Sequence, residues 1–142
     1  MIVQEFYLPD WDWAIKVYYA IDTFYMDSII GDLEAMGCSM RKIRDIEYVL
    51  SSYPYNNGMT YTNMQYRWSL VVIGITSTPD EFQSTFDHEK GHLAMHIAET
   101  DDIDIFGEEF QYLTGEIGKQ MFPIAKKFLC EHCRLDLKGG YK

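Results

Sequence analysis

The sequence predicts an α+β domain, with a small twisted sheet on one side and a metal site between two helices on the other. Three observations carry this reading. Residues 13–21 alternate, with Ala14, Lys16, Tyr18 and Ala20 set against Ile15, Val17, Tyr19 and Ile21, which is the period of a strand. Leu70, Val71, Val72, Ile73, Gly74 and Ile75 form a continuous apolar run, as expected of a strand covered on both faces. Thr78-Pro79-Asp80-Glu81 then writes a helix start: Thr78 as N-cap, Pro79 at the first helical position, acidic residues in the first turn, and Glu81 closing a capping box.

In chain order, residues 3–8 are a first strand, and Leu8-Pro9-Asp10 turns it into the strand at 13–21. From Asp22 the spacing becomes helical through Phe24, Ile29, Ile30, Leu33 and Met36, and Gly37 is placed to end that helix. Ser39 caps a second helix whose apolar stripe is Ile43, Ile46, Val49 and Leu50. Tyr53-Pro54-Tyr55-Asn56-Asn57-Gly58 stops it, Asn57-Gly58 being a turn signal. Extended segments at 59–63 and 66–76 lead to a helix over 79–99, anchored by Phe82, Phe86, Leu93 and Ile97. After an acidic break at 100–104, a helix over 107–117 turns Phe110, Leu113 and Ile117 to the core. A last amphipathic helix spans 122–133 through Ile124, Phe128 and Leu129, and 139–142 is a frayed tail. Nothing marks a boundary, so 1–142 reads as a single domain.

Composition narrows the function classes. At 142 residues and 47% hydrophobic the chain can bury a core of its own. A formal charge of -10 argues against nucleic acid and against an anionic membrane surface, since both reward clusters of Lys and Arg. The start lacks a basic region followed by an apolar one, and no apolar run approaches a membrane span, so a cytoplasmic protein is expected. Cys38, Cys130 and Cys133 are an odd number and too few for a disulfide scaffold, which fits a reducing compartment.

The middle of the 79–99 helix holds His88-Glu89-Lys90-Gly91-His92. On a helix, His88 and His92 lie one turn apart on the same face, so both imidazoles can reach one ion. A shuffled chain of this composition contains the pattern roughly 0.006 times, so its place on a long, capped helix behind a buried strand is the context that gives it weight. Glu89 beside them is the residue type that takes the proton from a metal-activated water. Two imidazoles leave half of a zinc tetrahedron unfilled, and a hydrolase needs one more protein ligand and one open position. Glu108 and Glu109 begin the following helix and can supply it; they point about 100° apart, so only one can face the ion.

This arrangement resembles that of the gluzincins, in which the third zinc ligand is a glutamate on the next helix. Asn57-Gly58-Met59-Thr60-Tyr61, with Arg67, Ser69, the 71–76 strand, the motif helix and Glu108-Glu109-Phe110-Gln111-Tyr112-Leu113, is similar to small zincin-like metallopeptidases of phages and gut bacteria. The likeness covers residues 57–122, a little under half the chain. Such proteins carry the ligand in a Glu-x-x-Ala-like pattern ahead of Tyr-Leu, which implies Glu108; Gln111 stands where Ala is common and keeps Glu109 as the alternative. His96, four residues after the motif, resembles the pattern of ImmA/IrrE-type metallopeptidases. It reads as a histidine bonded to a carboxylate beside the centre, with a ligand role in place of Glu108 as the alternative.

Other residues are candidates with plainer readings beside them. Tyr112, one turn beyond Glu108, can donate to a tetrahedral oxyanion, or it is packing. Asp87 and Asp104 are candidate partners of the ligand histidines, or surface carboxylates. Cys130-Glu131-His132-Cys133 offers half of a second zinc site, or reduced thiols. The expected function is a zinc-dependent metallopeptidase acting on a peptide or protein substrate: His88, His92 and Glu108 hold Zn2+, and Glu89 is the general base. The alternative is a non-catalytic zincin-like protein of a phage or mobile element that keeps zinc for stability or for a partner.

Overall fold

The computed structural model describes residues 2–21, 25–52 and 58–130. Strand β1 (Ile2–Leu8) pairs antiparallel with β2 (Trp13–Ile21). β4 (Trp68–Gly74) lies parallel to β2, and β3 (Gly58–Asn63) pairs antiparallel with β4 as an outer strand, giving the order β1-β2-β4-β3. A parallel pair needs a crossover. Here it consists of α1 (Met26–Ala35), α2 (Met40–Leu50) and β3 itself. Helices α3 (Pro79–Asp101) and α4 (Glu108–Ala125) follow, and a 3-10 turn at Lys126–Phe128 ends the described chain's regular structure.

The apolar run in β4 explains the layering. Leu70 and Val72 enter a core with Tyr18, Ile21 and the stripes of α1 and α2. Val71 and Ile73 point the other way, into a core with Trp13, Ile15, Val17 and Tyr19 of β2 and with Phe82, Phe86, Leu93 and Ile97 of α3. The sheet therefore has helices on both faces, where the sequence reading placed it on one side of the domain. The period-2 alternation of β2 and β4 is what divides the apolar residues between two cores.

Helix ends follow the expected chemistry. Ser39 Oγ accepts from Lys42 N at 3.2 Å, and Thr78 Oγ1 from Glu81 N at 3.4 Å. Glu81 returns the bond one residue earlier than a capping box would, accepting from Ser77 N at 3.2 Å. Gly37, at φ +77°, takes the left-handed conformation that closes α1, and Cys38 N reaches back to Leu33 O. Phe24, Asn57 and the Glu131-His132-Cys133 part of the second metal candidate lie outside the described residues, as does the tail.

One boundary differs. The two helices expected at 107–117 and 122–133 are a single helix, α4, running through Gly118 and Pro123. Leu113, Ile117, Met121 and Ala125 are all buried at a spacing of four. That unbroken stripe outweighs the cost of a helical glycine, about 1 kcal/mol, and of the amide that Pro123 lacks near the helix end. Among the described residues no helix is long and apolar enough to cross a membrane.

Candidate metal centre

α3 lies along β3 and β4, and its flanks have different neighbours. Phe86, Leu93 and Ile97 face the sheet. Glu89 and His96 project to the β3 flank, where Gly58, Thr60 and Thr62 share one face of the strand. Their small side chains let the helix approach closely, while Met59 and Tyr61 pack into the opposite core.

His88 and His92, both exposed, bring their Nε2 atoms to 3.1 Å with the rings edge to face. Two zinc–nitrogen bonds of about 2.0–2.1 Å at a tetrahedral angle hold their nitrogens about 3.3 Å apart, so the pair is already close to chelating spacing. Glu89 completes the cluster: one atom from each of His88, Glu89 and His92 lies within 4.8 Å of the others. Two imidazole nitrogens and a carboxylate are a donor set that suits zinc. The imidazole pair fits the ion, and among the described residues Glu89 is the one carboxylate grouped with it.

Glu89 is only 4% exposed. The Thr60 hydroxyl bonds to Glu89 Oε1 and to the Glu89 backbone carbonyl, each at 3.2 Å. Burial pushes the Glu89 carboxyl above its ordinary value; nearby His88 and His92 and the Thr60 hydroxyl oppose the rise without cancelling it. Burial likewise lowers the His96 imidazole, helped by His92 and opposed by Glu99. His96 is paired through Nδ1 with the Thr62 hydroxyl at 2.8 Å, a hydroxyl where a carboxylate was expected.

Comparison of the chain with protein-family models, with curated proteins and with solved structures finds no match. The site therefore stands on its own geometry.

The remaining predicted residues are elsewhere. Glu108 and Glu109 are exposed in the first turn of α4 and are not in the cluster with the histidines. The reason is how α4 packs. Lys90 Nζ lies 3.6 Å from where a Cβ on Gly118 would be, so α4 meets the Lys90 side of α3. Lys90 and His92 project about 200° apart around the helix, and Glu108 precedes Gly118 by almost three turns, about 15 Å. Tyr112, 70% exposed, is on the same helix. Asp87 pairs with Gln83 and Lys90, and Asp104 bonds to Phe106 N in its own loop. Cys130 is exposed.

Sequence reasoning did not single out Gly58, Thr60 and Thr62 as parts of the site. Their signal is the period-2 run of small residues opposite the motif helix. Gly58 is the sharpest case: a Cβ there would stand 2.8 Å from Glu89 Cγ, 3.0 Å from Glu89 Oε2 and 2.9 Å from the Val72 carbonyl oxygen. The Val72 contact is backbone and cannot rotate away. Gly58→Ala is expected to cost about 1–3 kcal/mol in denaturant unfolding, through overpacking, and to displace the Glu89 carboxylate. An unchanged unfolding midpoint would show that β3 and α3 are not this close.

Proposed function

We propose that the chain is a zinc-dependent metallopeptidase, a minimal zincin-like domain in which α3 carries the working residues. The observation that carries the reading is the grouping of His88 Nε2, His92 Nε2 and a buried Glu89 carboxylate along one flank of α3. His88 and His92 would supply two of the zinc ligands, with no third protein ligand placed beside them among the described residues when Glu89 serves as base, and a bound zinc would supply Lewis acidity, easing deprotonation of water and polarising a carbonyl. Glu89 Oε1 is engaged by Thr60, leaving Oε2 to take the proton that an attacking water gives up and to return it to the departing amine. Its upward-shifted proton affinity suits a group that must both accept and release.

Substrate has a natural seat. Among the described residues β3 pairs with β4 alone, so its outer edge offers backbone donors and acceptors beside the motif helix. An extended peptide adding to that edge would be held by main-chain hydrogen bonds with little demand on side chains. Purified protein is expected to carry zinc in one-to-one ratio and to cleave members of a peptide library. Chelation should abolish the cleavage and added zinc restore it. Protein without zinc affinity, or zinc-loaded protein inert toward the whole library, would sink the proposal.

A second reading has an observation in its favour. Glu108 and Glu109 lie outside the cluster, whereas Glu89 is within ligand distance of both histidines. If Glu89 itself binds the ion, the chain holds metal for stability or for a partner and has no general base. The two readings part on what Glu89 does to zinc affinity.

A further inference from the structure

A line of hydrogen bonds runs from the core to the row of histidines. Trp13 Nε1 donates to Ser69 Oγ at 2.9 Å, Ser69 Oγ is 2.7 Å from Thr62 Oγ1, and Thr62 Oγ1 is 2.8 Å from His96 Nδ1. The first link and the acceptors available to each hydroxyl give the direction of the rest. An indole N–H can only donate, so Ser69 Oγ accepts there. Ser69 is fully buried, and Thr62 is the one acceptor within its reach among the described residues. Its hydroxyl hydrogen must therefore point to Thr62, because the reverse assignment buries an O–H with no acceptor. With Ser69 donating to it, the Thr62 hydroxyl has His96 Nδ1 as its one acceptor among the described residues, and its hydrogen is directed there. A neutral imidazole that accepts at Nδ1 carries its hydrogen on Nε2.

We propose that Trp13, Ser69 and Thr62 lock His96 as its Nε2–H tautomer, and that this N–H is the donor for an oxygen atom held beside His92. His96 follows His92 by one turn on the same row, with ring centroids 6.2 Å apart. Its ring makes no second hydrogen bond among the described residues. The opposite tautomer would present a lone pair to that space and repel an oxygen. In the peptidase reading, on which this step rests, the oxygen is that of the scissile carbonyl, which gains negative charge as water attacks. A neutral donor already fixed in place stabilises that charge without reorganising. His96 takes the role that the sequence reading gave to Tyr112, and Ser69 and Thr62 are positioning residues.

Nitrogen-15 NMR of the imidazoles in the zinc-free, full-length chain at pH 8 tests the relay. His96 should show a protonated Nε2 and an unprotonated Nδ1, and Ser69→Ala and Thr62→Val should each shift it toward the mixture of an exposed histidine. An Nδ1–H wild type, or a ratio that neither variant moves, overturns the proposal. The donor role is read separately on the zinc-loaded enzyme. His96→Leu should lower kcat about 10²–10³-fold with KM little changed, and His96→Gln, which keeps an N–H, should recover most of it. An unchanged kcat in His96→Leu refutes that role. A wild type without turnover would instead count against the peptidase reading, and the NMR result would still decide the relay.

Discussion

Glu89→Gln is expected to abolish turnover while leaving zinc bound and the zinc-free protein more stable at neutral pH. Each part has its own cause. The amide keeps the shape of the carboxylate and its bond from Thr60 but cannot take a proton, and loss of a general base costs about 10²–10⁴-fold. If Glu89 is a base and not a ligand, zinc affinity changes little, because both imidazoles remain. If Glu89 is a ligand, affinity falls steeply, and the metal-holding reading is the right one. Zinc titration of the variant beside the wild type separates the two.

The stability part follows from linkage. Glu89 titrates higher in the folded protein than its ordinary value of 4.5 because it is buried. A carboxyl of this kind binds its proton more tightly when folded. Wild-type stability should therefore fall as pH rises from about 4.5 through the raised folded value, then level off. The Gln variant lacks this fall. Urea unfolding of both zinc-free proteins at several pH values across that window checks it, and parallel curves would mean that the buried charge carries no cost.

How much of this was legible in the sequence depends on the range of the interactions. The strands at 13–21 and in the 70–75 run, the caps at Ser39 and Thr78, and the motif helix are written locally, in alternation, apolar runs and capping residues, and each appears where those signals put it, save that the run's strand ends at Gly74 and leaves Ile75 exposed. The convergence of His88, Glu89 and His92 is legible for the same reason, since one turn of helix sets it. What the sequence does not contain is the side from which another element approaches. Nothing local states that β2 and β4 run parallel, that α1 and α2 cover the second face, or that α4 docks on the Lys90 side of α3. Spacing allowed Glu108 to turn back toward the ion, but the direction of docking carries it away. The same blindness hid Thr62 and the role of Ser69, which matter here because the β3–β4 hairpin lays them between Trp13 and His96.

The largest loss of stability is expected from Arg67→Ala. Arg67 sits in the turn between β3 and β4, and its guanidinium joins three segments distant in sequence. It donates to both carboxylate oxygens of Asp101 at 2.8 Å, to Asp12 O at 2.9 Å and to Trp11 O, and it lies 4.8 Å from the centre of the Trp13 ring. Two turns of the sheet and the last turn of α3 are thus held by one side chain. The fork on Asp101 is the strong bidentate kind, and it places a cation at the negative end of the helix. Removing it gives up these charge-assisted bonds and the contact with Trp13 together, with water re-pairing the exposed oxygens in part, an expected loss of about 2–3 kcal/mol in urea unfolding. Lysine should recover only a small part, having a single point of charge where a planar fork is needed. Arg67 has φ +55°, a left-handed conformation that alanine keeps at a cost and glycine does not. Arg67→Gly should therefore lie about 1 kcal/mol above Arg67→Ala, still well below wild type. A glycine variant as stable as wild type would show that backbone strain, and not the guanidinium, is what this position controls. If the guanidinium is the cause, both variants should also loosen the C-terminal half of α3. Hydrogen exchange should then rise from Leu93 to Asp101 before it rises at β1 and β2, because Asp101 is the helix end that Arg67 anchors to the sheet.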